Sequence, residues 1–244
     1  MDYDKDFESA MVQTRHGRIN TMHHKGSSGF PMIFIHGFGA STRTFKRLMP
    51  YLDSKLDIYL IDLLGHGMSE DPEISYSVQT QLDVLSDFIS QLKLPSPVLF
   101  GHSYGGWIAT LHTLNTGNVK GLILEDSAGL EEFSKEMHEE GPKYKAEMLR
   151  QATMLNGRAH VIKSALEADD NDHHIDEHDL DRIKVPTQII WGSADDITAV
   201  KYARIFGDHI EGSRLKIMEG VGHTPHFTNA EEVAYAIMYF LGDL

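Results

Sequence analysis

The pentapeptide Gly101-His102-Ser103-Tyr104-Gly105 follows the apolar run Val98-Leu99-Phe100 and precedes a stretch in which Ile108, Leu111 and Leu114 recur at helical spacing. A serine hydroxyl is a poor nucleophile until a base takes its proton, so a hydrolase has to hold it in the open on a tight turn. Small residues two positions before and two after Ser103 permit that turn. A turn serine between chance glycines would not need a strand before it and a helix after it.

Two other groups have the complementary chemistry. His223 follows the strand-like Leu215-Lys216-Ile217-Met218, and Asp195 follows the strand-like run from Val185 to Trp191. Ser103, Asp195 and His223 thus each fall just past the end of an expected strand, where open α/β sheets place their sites. Histidine titrates near neutrality and can take the serine proton and return it to a leaving group. A carboxylate then fixes the imidazole tautomer and stabilises the imidazolium. Asp196, beside Asp195, and Asp126, which also follows a strand, are alternative acids.

These groups need a scaffold, and 244 residues suffice for a large domain with a substantial core. Apolar runs at Pro31–Ile35, Asp57–Ile61, Val98–Phe100, Val119–Leu124, Val185–Trp191 and Leu215–Met218 alternate with helical patterns, as an α/β fold with a mainly parallel sheet requires. Met11–Thr14 and Arg18–Met22 flank His16-Gly17 and predict an opening hairpin. Thr42–Tyr51 reads as a helix, as does Ala199–Phe206, and Asn229 with Glu232 has the spacing of an N-terminal capping box. From about Leu130 to Lys184 the rhythm lapses into amphipathic pieces, which predicts an insertion. Its Met137, Met148 and Met154 read as helix packing, as does Trp107 elsewhere in the chain.

Composition narrows the function. Lys and Arg number 22 against 36 Asp and Glu, a net charge of −14 that argues against a nucleic-acid partner, polyanionic substrates and anionic membranes. Acidity is concentrated in Glu167, Asp169, Asp170, Asp172, Asp176, Glu177, Asp179 and Asp181, interleaved with His173, His174 and His178. That order matches no recognised metal-ligand spacing and reads as a solvated charge run. Cysteine is absent, which excludes disulfides and thiol nucleophiles, and no run approaches a membrane span. The expectation is a soluble cytoplasmic protein.

Four motifs make the chain similar to the α/β-hydrolase fold superfamily over nearly its whole length. His36-Gly37-Phe38-Gly39 resembles the oxyanion loop, Gly101-His102-Ser103-Tyr104-Gly105-Gly106 the nucleophile elbow, Gly192-Ser193-Ala194-Asp195 the acid loop and Gly222-His223-Thr224-Pro225 the histidine loop. Asp62-Leu63-Leu64-Gly65-His66-Gly67-Met68-Ser69 is similar to a further loop of the family, whereas Ala230 stands where relatives often carry proline. The resemblance implies a mostly parallel central sheet of about eight strands with helices on both faces. Residues 1–129 and 185–244 would form the core and 130–184 a small helical cap.

It also implies Ser103 as nucleophile, His223 as base and Asp195 as acid, the last by its place three residues after Gly192. Asp126 occupies the acid position of a minority of relatives. The backbone N–H groups of Phe38 and Tyr104 would form the oxyanion hole, and the Phe38 ring a wall of the substrate pocket. No cofactor or metal is implied. A serine at this position excludes the dehalogenase and epoxide hydrolase chemistries of the fold, which use aspartate there. The short insertion points to a carboxylesterase for short-to-medium acyl groups on a small-molecule ester. The alternatives are a carbon–carbon bond hydrolase, an aminopeptidase or amidase, and a slow hydrolase serving as a ligand receptor.

Overall fold

The computed structural model describes residues 1–139, 141–168 and 170–244; Asp169 of the acidic run lies outside the described residues. The chain opens with an antiparallel hairpin of β1 (Glu8–Thr14) and β2 (Gly17–His24), then runs through β3 (Pro31–Ile35) and β4 (Asp57–Ile61). Helix α1 (Val78–Gln91) leads to β5 (Val98–His102), α2 (Tyr104–Thr116) and β6 (Gly121–Glu125). The insertion carries α3 (Glu131–Glu139), α4 (Gly141–Asn156), α5 (Ala159–Glu167) and α6 (Glu177–Leu180). The alternation then resumes with β7 (Thr187–Gly192), α7 (Lys201–His209), β8 (Arg214–Met218), α8 (Pro225–Thr228) and α9 (Ala230–Leu241).

The eight strands form one sheet in the order β1-β2-β4-β3-β5-β6-β7-β8. Pairing is antiparallel as far as β2–β4 and parallel from β4 onward. After β3 the chain lays β4 on one side and β5 on the other, so the strand order reverses between β3 and β5. At such a reversal the loops leaving the carboxyl ends of neighbouring strands diverge and leave a crevice. The loop after β3 and the turn after β5 are the ones that carry Phe38 and Ser103.

β3 is buried along its whole length, and its side chains divide between the two faces of the sheet. Ile33 and Ile35 pack with Leu85 and Phe88 of α1 and Ile108 of α2. Met32 and Phe34 pack with Phe45, Phe100 and the Val233, Ile237 and Phe240 stripe of α9. The sheet is therefore gripped from both sides at the strands whose ends bear the reactive groups.

Two local expectations are corrected. Thr42–Tyr51 is not a single helix but two 3₁₀ turns, Thr42–Arg47 and Met49–Tyr51. Pro50 has no N–H to offer Lys46, and its ring clashes with the carbonyl that an α-helix would place there. Asn229 precedes α9, yet its side chain makes no capping hydrogen bond. It also ends α8, donating its N–H to Pro225 O (2.8 Å), and so follows the geometry of that preceding turn.

Glycine is required where helix α2 crosses β3: a Cβ on Gly105 would stand 2.2 Å from the Ile35 carbonyl oxygen. Backbone cannot yield as a flexible side chain can. Gly105→Ala is expected to cost at least ~2 kcal/mol, because both strand and helix are fixed in the core. Thermal unfolding would then shift down by about 4 °C or more. An unchanged Tm would contradict the packing described.

Candidate active site

Ser103 connects β5 to α2 with φ 53° and ψ −117°, in the left-handed half of backbone space that non-glycine residues seldom enter. Such a conformation costs on the order of 1–3 kcal/mol and persists only where the surroundings impose it. Here the Ser103 N–H donates to Glu125 O (2.9 Å), and its carbonyl accepts from Gly106 (2.9 Å), Trp107 (3.2 Å) and Ala128 (3.0 Å). Gly101 and Gly106 allow the turn to close: a Cβ on either would fall within 2.6 Å of the opposing backbone or of Ser127.

The loop after β8 carries His223 to the serine, with Nε2 3.0 Å from Ser103 Oγ. On the other side of the ring, Nδ1 lies 2.8 Å from Asp195 Oδ2. Asp195 can only accept when ionised, so this pairing places the ring proton on Nδ1 and leaves Nε2 free to take the serine proton. Asp195 also accepts from the backbone N–H groups of Ile197 (2.8 Å) and Thr198 (3.0 Å) and from Thr198 Oγ1 (2.7 Å). Burial opposes its charge, but the hydrogen bond and charge of His223 and these donors together hold its carboxyl below the usual range.

The alternative acids are placed differently. Asp196 is exposed. Asp126 is buried, adopts φ 45°, and accepts from the Gly192 N–H (2.9 Å) through Oδ1, while Oδ2 finds no partner among the described residues. Burial, reinforced by the neighbouring carboxylates of Glu125 and Asp195, pushes its carboxyl up to about 11. Asp126 is thus neutral at physiological pH, and the ionised carboxylate on His223 is that of Asp195.

Phe38 follows β3 directly beside the elbow; a Cβ on the preceding Gly37 would stand 3.2 Å from Ser103 Cβ. Tyr104 opens α2, so its N–H has no acceptor within the helix. The rings of the two residues meet edge to face at 5.6 Å. Beside Ser103 lies a cavity of about 240 Å³ with a mainly apolar lining. Phe38, Tyr104 and Trp107 form its core-side wall, and Phe133, Met148 and Leu166 of the insertion face them.

Some residues do more than their sequence context suggests. Trp107 lines the cavity, donates Nε1 to His173 O (2.8 Å) and stacks on His174 at 5.3 Å. Its position one turn into α2 puts it under the insertion. Met148 also faces the cavity and Met154 is 74% exposed, so neither is simple helix packing; the Met137 side chain lies outside the described residues. The acidic run is partly built in: Asp170 accepts from the Val78 N–H (3.0 Å) and, with His174, lines the cavity. Farther along the run, Asp181 pairs with His209 (3.1 Å) and lies 3.6 Å from His178.

Other histidines stay off the reacting atoms. His36 and His66 bind loop carbonyls, and His226, fully buried, pairs with Glu125 and lies 2.8 Å from Thr44 Oγ1. Burial pushes His66, His102 and His226 down to about 3 and His112 to about 4, so all are neutral. The sequence assigns no role to Glu125 or Thr198, offers His226 only as a base less favoured than His223, and shows Asp62 only as part of a family loop, because their partners lie far along the chain. Asp62 accepts from the N–H groups of Thr42 (2.7 Å) and Met68 (2.9 Å) and from Asn20 Nδ2 (2.9 Å). The aspartate heading that glycine-punctuated loop was its one local signal.

A family model described as the alpha/beta hydrolase family matches residues 32–236. The chain belongs to the α/β-hydrolase family. Among its relatives is a 2-hydroxy-6-oxo-6-(2'-aminophenyl)hexa-2,4-dienoic acid hydrolase of Metapseudomonas resinovorans, 26% identical over 96% of this chain and 92% of that protein. A monoacylglycerol lipase of Mus musculus is 26% identical over 87% and 75%. The crystal structure of a putative lipase from Acinetobacter baumannii superposes with a TM-score of 0.82 at 20% identity, covering 98% of this chain and 92% of that one, a likeness of fold. Among the described residues no helix of this α/β hydrolase is long and apolar enough to cross a membrane.

Two outcomes follow from the electrostatics. Asp195→Asn should lower kcat by about 10³–10⁴-fold, through the wrong imidazole tautomer, whereas Asp196→Asn should leave it unchanged; steady-state kinetics on an activated ester would show it. The second outcome concerns stability. The buried histidines titrate near 6.5 unfolded but near 3–4 folded, so the stability they confer is present above about pH 6.5 and is lost as pH falls below it. Asp126 has the opposite sign, because its raised folded pKa makes stability decline as pH rises above about 4. Asp126→Asn should therefore raise Tm at pH 8 by at least ~2 °C and flatten the alkaline side of the Tm–pH curve. An unchanged curve would show that Asp126 is ionised.

Proposed function

We propose that this chain is a serine hydrolase of carboxylic esters with short-to-medium acyl groups. The observation that carries the reading is the continuous line from Ser103 Oγ through His223 to Asp195, at 3.0 and 2.8 Å, opening onto an apolar cavity. In this reading His223 takes the serine proton as Oγ attacks the ester carbonyl. The backbone N–H groups of Phe38 and Tyr104 receive the oxyanion, where fixed dipoles need no reorganisation. His223 then protonates the leaving alcohol, and water, activated by the same imidazole, hydrolyses the acyl-enzyme. Residues 130–184 act as the cap over a core of residues 1–129 and 185–244, with Phe133, Met148 and Leu166 closing the apolar side of the pocket.

The cavity supports the choice of bond. A cavity of about 240 Å³ with a mainly apolar lining suits the apolar chain of a short-to-medium acyl group. Among the described residues its lining contains Asp170 and His174 but neither lysine nor arginine. A dienoic acid, the substrate class in the name of the Metapseudomonas resinovorans relative, would bring a carboxylate next to Asp170 with no lysine or arginine among the described lining residues to receive it. A neutral ester, as in the monoacylglycerol lipase relative, meets no such penalty.

The test is turnover of p-nitrophenyl esters across acyl length. kcat/KM should peak between butanoyl and octanoyl and fall for longer chains, and Ser103→Ala should abolish activity while leaving Tm intact. Full activity in Ser103→Ala would overturn the mechanism. Preference for a vinylogous 1,5-diketo acid over every ester would reassign the bond.

A further inference from the structure

Beneath the three aligned side chains lies a second layer of polar groups, fully enclosed, that the reaction as written does not use. His102, immediately before Ser103, has Nε2 2.7 Å from the carbonyl oxygen of His223. A carbonyl can only accept, so Nε2 carries the ring proton and donates it. Its other nitrogen, Nδ1, is buried and finds no hydrogen-bond partner among the described residues. A protonated Nδ1 there would be an orphaned donor at a cost of about 1–3 kcal/mol, so the single tautomer is fixed by its surroundings.

The ring is also wedged in place. A Cβ on Gly37, at the head of the Phe38 loop, would stand 2.8 Å from His102 Nδ1. On the other side the His226 ring meets it edge to face at 4.6 Å. His226 is in turn anchored by Glu125, which accepts from the His226 backbone N–H (2.9 Å) and pairs with its Nδ1. The backbone oxygen of the same Glu125 receives the Ser103 N–H (2.9 Å). One buried layer therefore touches the loop after β3, the turn after β5, the end of β6 and the loop carrying His223.

We propose that His102 is a positioning residue: its Nε2–H holds the His223 backbone so that the imidazole faces Ser103, and the Glu125–His226 pair holds His102. The inference rests on the acyl-enzyme reading above. It explains why a histidine rather than an apolar residue stands in the core here: the His223 carbonyl is turned toward the buried 102 position, where an apolar side chain would offer it no donor. Rotation of His223 by a small angle would lengthen the bond to Ser103 without touching the cavity, so the effect belongs in kcat and not in KM.

The test compares His102→Leu, which removes the donor, with His102→Gln, whose side-chain N–H₂ can reach the same carbonyl, using p-nitrophenyl butanoate. Expected are a loss of about 10- to 100-fold in kcat for His102→Leu with KM within about twofold, and recovery of most of that loss in His102→Gln. The downfield Nδ1–H proton resonance of His223, sharp in the wild type, should broaden or vanish in His102→Leu and return in His102→Gln. If His102→Leu does not fold, His102→Met supplies the donor-free comparison at closer volume. Wild-type kcat in the folded donor-free variant would overturn the inference, as would a His102→Gln variant no better than it. Absence of any esterase turnover in the wild type would instead defeat the esterase reading, and the resonance comparison would still decide the role of His102.

Discussion

The site depends on one local constraint, the left-handed backbone of Ser103 at the junction of β5 and α2. A serine in ordinary strand or helix geometry would point into the sheet or along the helix surface. The positive φ turns its Oγ into the crevice where the strand order reverses, within reach of a histidine from a different strand end. The strain is offset by packing that accepts no alternative: α2 presses on β3 at Gly105, and the Ser103 amide is tied to β6. The core on both sheet faces thus supports a conformation that the serine alone would leave.

Electrostatics around the site follow a division of labour set by solvation. Asp195 is surrounded by donors and stays ionised, while Asp126, a short distance away and poor in donors, holds its proton. Two carboxyl groups at the ends of neighbouring strands therefore present one negative charge to His223. The buried histidines are neutral and serve as hydrogen-bonding struts between loops.

Local patterns carried much of this into the sequence. The glycines around Ser103, the apolar runs before Asp195 and His223, and the hairpin at His16-Gly17 all act within a few residues, so their physics is visible in order along the chain. The single helix expected at Thr42–Tyr51 failed because Pro50 removes a donor that periodicity does not register. Trp107 and Met148 looked like packing because the surface they line exists only once the insertion folds over α2. The pairing of Glu125 with His226 was invisible because the two stand 101 residues apart, and a buried pair has no signature in spacing. The acidic run was read by its charge, whereas Asp170 and His174 act through position.

The central claim is that Ser103 is an activated nucleophile, and covalent trapping addresses it most directly. Intact-mass measurement after brief exposure to an alkyl fluorophosphonate should show one added phosphonyl group, and peptide mapping should place it on Ser103. Labelling should be abolished by unfolding the protein beforehand. No adduct, or an adduct on another residue with Ser103 unmodified, would contradict the account.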